Sequence, residues 1–242
     1  REFFKMSGYQ NAMPYYGTDS QENINTLFRK VYQYMALGLI LTTVVAYYVA
    51  SSTDVIKYLF SSSTPLFLIA ILEVGLVIWL SAGLNKMSAS TALILFGVYS
   101  VLNGVLCSSV LLVYTQESVY KAFLSTAGMF GAMSIYGLYT KRDLTGLGSF
   151  LRMGLIGLLI AIVINLFLGS SRMELYISVF GIIIFLGLTV YDTYKIKNIA
   201  SEMDMSDPEV TGRIAVIGAL NLYLDFINIF LYLLRLFGKE RN

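Results

Sequence analysis

The chain has 242 residues, 57% of them hydrophobic and only 13% charged, with a mean hydropathy of +0.70 and a formal net charge of +2. A soluble domain carries about a quarter charged residues, so this composition excludes one, and the small net charge excludes a nucleic-acid footprint. Histidine is absent, which excludes Ser-His-Asp hydrolases, HExxH zinc enzymes and histidine-ligated membrane hydrolases and leaves carboxylates as the groups for any pH sensing near neutrality.

Residues 1–5 precede Met6-Ser-Gly and read as a cloning remnant ahead of a natural initiator. Residues 1–26 form a polar, mobile N-terminal segment without the charged, apolar and cleavage regions of a signal peptide. The first apolar run is therefore expected to stay as an anchor. Residues 27–242 read as one transmembrane domain. Its apolar stretches are each about 20 residues, enough to cross a hydrocarbon core of ~30 Å as a helix.

Seven spans are predicted. The first is Val31 to Ala50, and the second follows Pro65 and ends near Leu84. The third is Thr91 to Val113, the fourth Tyr120 to Tyr139, and the fifth Phe150 to Leu168. The sixth is Leu175 to Tyr194 and the seventh Ile214 to Phe237. Pro14, Pro65 and Pro208 all fall outside span interiors, where they do least harm to a helix. Gly128, Gly131 and Ser134, and Gly154 with Gly157, are small residues at helical spacing that let helices approach closely. Lysines and arginines divide about nine to about six in favour of the side holding the N-terminus, which predicts that it is cytoplasmic. The basic C-terminal tail pulls the other way, and a last helix that spans incompletely would place it inside.

Polar groups at membrane depth carry the functional reading. Asp225 lies mid-way along the last apolar run, where an ionised carboxylate costs at least ~2.5–3.5 kcal/mol on insertion scales. Asn221, Asp225, Asn228 and Tyr232 recur at i, i+4, i+7 and i+11 and so share one helix face. Asn221 and Asn228 suit interhelical hydrogen bonding. Asp225 does not, because an amide would serve there without a charge to neutralise. Asp192 ends the preceding run, a turn from Lys195. The two acids can share a proton or hold a cation, although Asp225 is expected roughly 17 Å deep at 1.5 Å per residue. Direct contact then requires tilt or a shortened last helix.

Glu73 is a third acid within a span, read evenly as part of an ion route or as a hydrogen-bonding anchor. Asn103 and Asn165 are lone amides that glue helices. Glu202, Asp204, Asp207 and Glu209 lack the EF-hand spacing and glycine and form a solvated face. Cys107 is the single cysteine and reads as a small core residue. The last span has no lysine for a retinal Schiff base. Neither aspartate has the Gly-x-Gly-Asp context of intramembrane aspartyl proteases, and no Gly-x-Ser-x-Gly motif or metal-ligand cluster appears. The chain does not read as an enzyme.

The run Leu222 to Gly238 resembles the C-terminal signature of the Bax-inhibitor-motif membrane proteins. Val190-Tyr-Asp192-Thr is similar to that family's sixth-helix signature, Ser134 to Phe150 to a loop of its bacterial branch, and Ile71-Leu-Glu73 to its second helix. The likeness covers Leu27 to Gly238. It implies an all-α membrane protein of seven transmembrane helices, arranged as two three-helix layers around a central C-terminal helix. It implies a pH-regulated calcium leak or exchange activity with Asp192 and Asp225 as the sensor. Relatives can carry an arginine at the end of the second helix that locks the sixth-helix aspartate. Leu84 stands there in this chain, with Lys86 as the nearest cation.

The leading expectation is a pH-sensitive calcium leak channel. Asp192 and Asp225 form the gate and bind the metal, and Glu73, Asn221 and Asn228 line the pathway. Carboxylate and amide oxygens suit a hard cation such as Ca²⁺, and two close acids titrate as a coupled pair. The alternatives are a proton-coupled Ca²⁺/H⁺ exchanger and a non-transporting regulator of a partner membrane protein. The expected partners are the lipid bilayer, Ca²⁺ and protons, with no nucleic acid and no cofactor beyond the ion. The expected location is a bacterial inner membrane.

Overall fold

The computed structural model describes residues 19–83, 87–202 and 207–241. Among these residues eight helices follow one another: α1 (Asp19–Ser51), α2 (Thr53–Phe60), α3 (Ser63–Gly83), α4 (Ala89–Val113), α5 (Gln116–Tyr139), α6 (Thr145–Leu168), α7 (Ser171–Glu202) and α8 (Pro208–Phe237). No strand forms among the described residues, apart from one backbone bridge between Tyr114 and Glu240.

Local chemistry sets the boundaries. The Ser88 hydroxyl accepts from the Thr91 amide at 3.1 Å and caps α4, and Thr115 does the same for α5 through Ser118 at 3.3 Å. Asp207 accepts from the Glu209 amide at 2.8 Å, with Pro208 opening α8 where its missing N–H costs nothing. Gly169 ends α6 in the left-handed region at φ 59°.

Several boundaries differ from the sequence expectation, and one helix is added to it. Helix α1 begins at Asp19, well before Val31, so residues 19–26 belong to it. Helix α7 continues past Tyr194 to Glu202, because its polar last turns remain good helix formers outside the apolar core. The short helix α2 was not foreseen. It is amphipathic, with Leu59 buried and Tyr58 exposed, as suits a helix lying along an interface.

Among the described residues six helices are long and apolar enough to cross a membrane: α1, α3, α4, α6, α7 and α8. Helix α5, the expected fourth span, has the length but carries Gln116, Glu117, Lys121 and several hydroxyls. It packs chiefly on α7 and α8, where those hydroxyls meet protein.

Helix α8 is the axis of the bundle. Of its most apolar window 61% is buried, against 11% for α3 and for α6. It touches α1 and α4 on one side and α5 and α7 on the other, while α3 packs outside α4 and α6 outside α7. Two glycines let one helix approach the backbone of another closely. A methyl on Gly104 would stand 2.8 Å from the Thr42 carbonyl oxygen of α1, and one on Gly137 would stand 2.5 Å from the Val190 carbonyl oxygen of α7. The periphery is greasy in the manner of a lipid-facing belt: Phe67, Ile78 and Trp79 on α3, and Leu166 and Phe167 on α6, are all more than half exposed.

Candidate functional site at the buried aspartates

Helices α7 and α8 run antiparallel, and their contacts fix the register. Gly181 lies against the ring of Tyr232, and Gly218 against Ile196. Between these points the Thr189 side chain reaches the carboxyl of Asp225. Asp192 is three residues further along α7, about 4.5 Å of rise, and its charge acts directly on Asp225. The two acids therefore lie about one turn apart along the α7–α8 interface. The offset expected from the sequence reduces to about one turn, set by the register of α7 against α8, and α7 itself extends to Glu202. Asp192 then lies well inside that helix rather than at its end.

Asp225 is 3% exposed, and its Oδ2 has no hydrogen-bond partner. Asp192 is half-buried, which places the pair between the sealed centre of the bundle and an accessible edge. Lys195 on α7 and Arg152 on α6 are cations acting on Asp192. Arg152 was not singled out in the sequence. The signal available was its position, one turn beyond Gly148, which packs under the ring of Tyr191 beside Asp192. Lys86 and Leu84, the expected lock positions, lie outside the described residues.

A belt of hydroxyls adjoins the pair. Tyr32 of α1 bonds Ser134 of α5 at 2.6 Å, and Ser134 bonds Thr193 of α7 at 3.0 Å. Ser134 was read as a packing residue, but here it ties three helices together beside Asp192.

Glu73 sits elsewhere. Its neighbour is Asn103 of α4, on the face of α8 opposite Asp225. There the Tyr223 hydroxyl donates to Asn103 Oδ1 at 3.1 Å and meets the Thr42 hydroxyl at 2.5 Å, while Thr42 also donates to the Ser100 carbonyl at 2.9 Å. Cys107 donates to the same Asn103 oxygen at 3.4 Å. Glu73 Oε1 is buried without a partner. Tyr223, fully buried, is the residue that sequence reasoning missed, because a tyrosine in an apolar run carries no charge signal. On the predicted stripe, Asn228 spends its amide on the Leu224 carbonyl of its own helix at 2.8 Å, and Asn221 is half-buried. Asn165 accepts from the Ser170 amide at 3.1 Å and closes the α6–α7 turn rather than joining helices.

Fold and site together define a multi-pass helical membrane protein with acidic side chains buried around a central helix. Residues 24–242 match the family described as "Inhibitor of apoptosis-promoting Bax1". The chain is 45% identical over 218 residues to "Inner membrane protein YbhL" of Escherichia coli K12, covering 90% of this chain and 93% of that protein. It is 44% identical to an uncharacterized protein of Borreliella burgdorferi, over 90% of this chain and 94% of that one. It is 38% identical to an uncharacterized membrane protein of Streptococcus pyogenes serotype M6, over 92% and 96% respectively. The chain belongs to the Bax-inhibitor family of integral membrane proteins.

Proposed function

We propose that this protein is a pH-sensitive calcium leak channel of a bacterial inner membrane, gated by Asp192 and Asp225. The carrying observation is the Asp225 carboxyl, sealed at the bundle centre with one oxygen unpartnered and Asp192 acting on it. Two carboxylates so placed do not both remain ionised without a proton or a cation between them. Protonation therefore competes with cation entry, which is the basis of a pH-dependent leak. The donors are carboxyl and hydroxyl oxygens, the ligands a hard cation prefers. Among the described residues no group of three or more acids, cysteines or histidines stands together. A two-carboxylate site suits an ion that must leave again. The countercharge to Asp192 in the closed state falls to Lys195 and Arg152. Crossing by α5 makes seven spans, with the two helix ends of the chain on opposite sides of the membrane.

Calcium flux into liposomes across pH tests this reading. Flux that varies with pH in the wild type and loses that variation in both Asp225→Asn and Asp192→Asn supports it. No flux at any pH, or unchanged profiles in both well-folded variants, refutes it. Flux that requires an opposing proton gradient replaces the leak by an exchange.

A further inference from the structure

A groove of about 370 Å³ opens between α1 and α4 on one wall and α5 on the other, with α8 as its floor. It exists because α5 packs on α7 and α8 and leaves the flank of α1 uncovered. Thr43 and Tyr47 line it from α1, Cys107 from α4, Phe123 from α5, and Phe226 and Phe230 from α8. The α1 lining runs from Leu39 to Tyr47, about 12 Å at 1.5 Å per residue. That is close to the depth of one leaflet in a hydrocarbon core of ~30 Å.

The end of this groove carries a fixed cation. The chain after α8 folds back on the α4–α5 turn. Thr115 N–H donates to the Lys239 carbonyl at 3.0 Å, Arg241 N–H to the Val113 carbonyl at 2.8 Å, and Lys239 N–H to Ser118 Oγ at 2.8 Å. These bonds set Arg241 beside Leu111, whose carbonyl takes one guanidinium N–H at 3.4 Å. Leu111 and Gln116 are themselves part of the groove wall. The rest of the guanidinium fork is exposed and shaped for the paired oxygens of a phosphate. Nearby, Lys121 and Glu117 satisfy one another at 2.6 Å. Lys239 also acts on Glu117, and Glu240 stands between Lys239 and Arg241 in the chain.

We propose that this groove binds one anionic phospholipid, with an acyl chain between α1 and α5 over Phe226 and Phe230 and its phosphate on Arg241. The assignment is independent of ion flux. The chain fits because the walls are apolar and open to lipid. The headgroup fits because the cation is held at the end of the groove by backbone bonds rather than by a flexible tail.

The test uses the full chain purified in a non-ionic detergent, read by native mass spectrometry and by thermal midpoint. The probes are phosphatidylglycerol and phosphatidylcholine with identical acyl chains, and inorganic phosphate. The expected result is one retained phosphatidylglycerol with a raised midpoint, and neither effect from phosphate alone. Thr43→Trp, which fills the groove from an exposed position, abolishes retention, whereas Ile78→Trp on the distant lipid face of α3 does not. Arg241→Gln weakens phosphatidylglycerol binding roughly tenfold, the size expected for one charge-assisted hydrogen bond, and leaves phosphatidylcholine unchanged. Equal retention of both lipids by the wild type, undiminished retention in Thr43→Trp, or a full effect from phosphate alone overturns the proposal. If Thr43→Trp does not fold, Phe123→Trp on the opposite wall replaces it, with the same loss expected.

Discussion

Asp225 and Tyr223 stand two positions apart on α8 and face opposite ways, so one helix carries two unlike polar centres. At Asp225 the charge matters. Asp225→Asn keeps the shape and the contact with Thr189 but removes the carboxylate. We expect an intact fold by size exclusion and a calcium flux that no longer follows pH. At Tyr223 the hydrogen bonds matter. Tyr223→Phe leaves Asn103 and Thr42 short of a buried partner, a loss worth roughly 1–3 kcal/mol, read as a lower unfolding midpoint in detergent. A midpoint equal to wild type would show that the Thr42–Tyr223–Asn103 chain does not support the bundle. Arg152→Gln removes an exposed countercharge to Asp192. It should raise flux only about two- to fivefold, the scale of an exposed ion pair, and only where Asp192 is ionised. Outside the membrane, Asp143 accepts from Thr145 N and Oγ1 at 2.9 and 2.6 Å, and these bonds hold its carboxyl below the usual range. Its folded value is depressed, so the stabilisation is complete above the ordinary carboxylate value of about 3.9. It is lost as pH falls through the depressed value. Hydrogen exchange at the first turn of α6 should therefore quicken in Asp143→Ala at neutral pH, and the difference from wild type should shrink in acid.

At the scale of elements, the close helix contacts make their own prediction. An added methyl at Gly137 meets the backbone of α7, and one at Gly104 meets the backbone of α1. A main-chain atom does not swing aside like a side chain. Gly137→Ala and Gly104→Ala should each cost about 1–3 kcal/mol by overpacking, whereas Gly128→Ala, with open space around it, should be close to neutral. Thermal unfolding of the three variants separates these cases, and equal midpoints would refute the close approach. Gly128 and Gly137 look alike in the sequence, as small residues on one apolar helix. Only the partner helix distinguishes them. The same holds for the element ends. Hydropathy located every long helix but stopped α7 at Tyr194, because Lys195 and Lys197 end the apolar run without ending the hydrogen-bond ladder. Helix α2 escaped because eight residues are too few for hydropathy to register as a span.

For the whole molecule, the charge asymmetry and the helix order predict that the N-terminus and the Lys141–Arg142 loop share one side of the membrane, opposite the Ser170–Ser171 turn. Cysteines placed in those segments of a Cys107→Ser background report it by impermeant labelling. Labelling of the Arg142 loop and the Ser170 turn from the same side would show that α6 does not cross as proposed. The amino-acid sequence by itself determined the solvent of this protein and the family to which it belongs. It also marked Asp192, Asp225 and Glu73 as costly groups, because hydropathy and the price of a charge in lipid are properties of single residues and short runs. Which acids meet was decided only by the tertiary structure. The antiparallel register of α7 against α8 brings Asp192 to within about one helical turn of the level of Asp225, while α3 and α4 carry Glu73 to the far face of the same helix. That division depends on how six long helices pack around α8, and no local spacing along the chain records it.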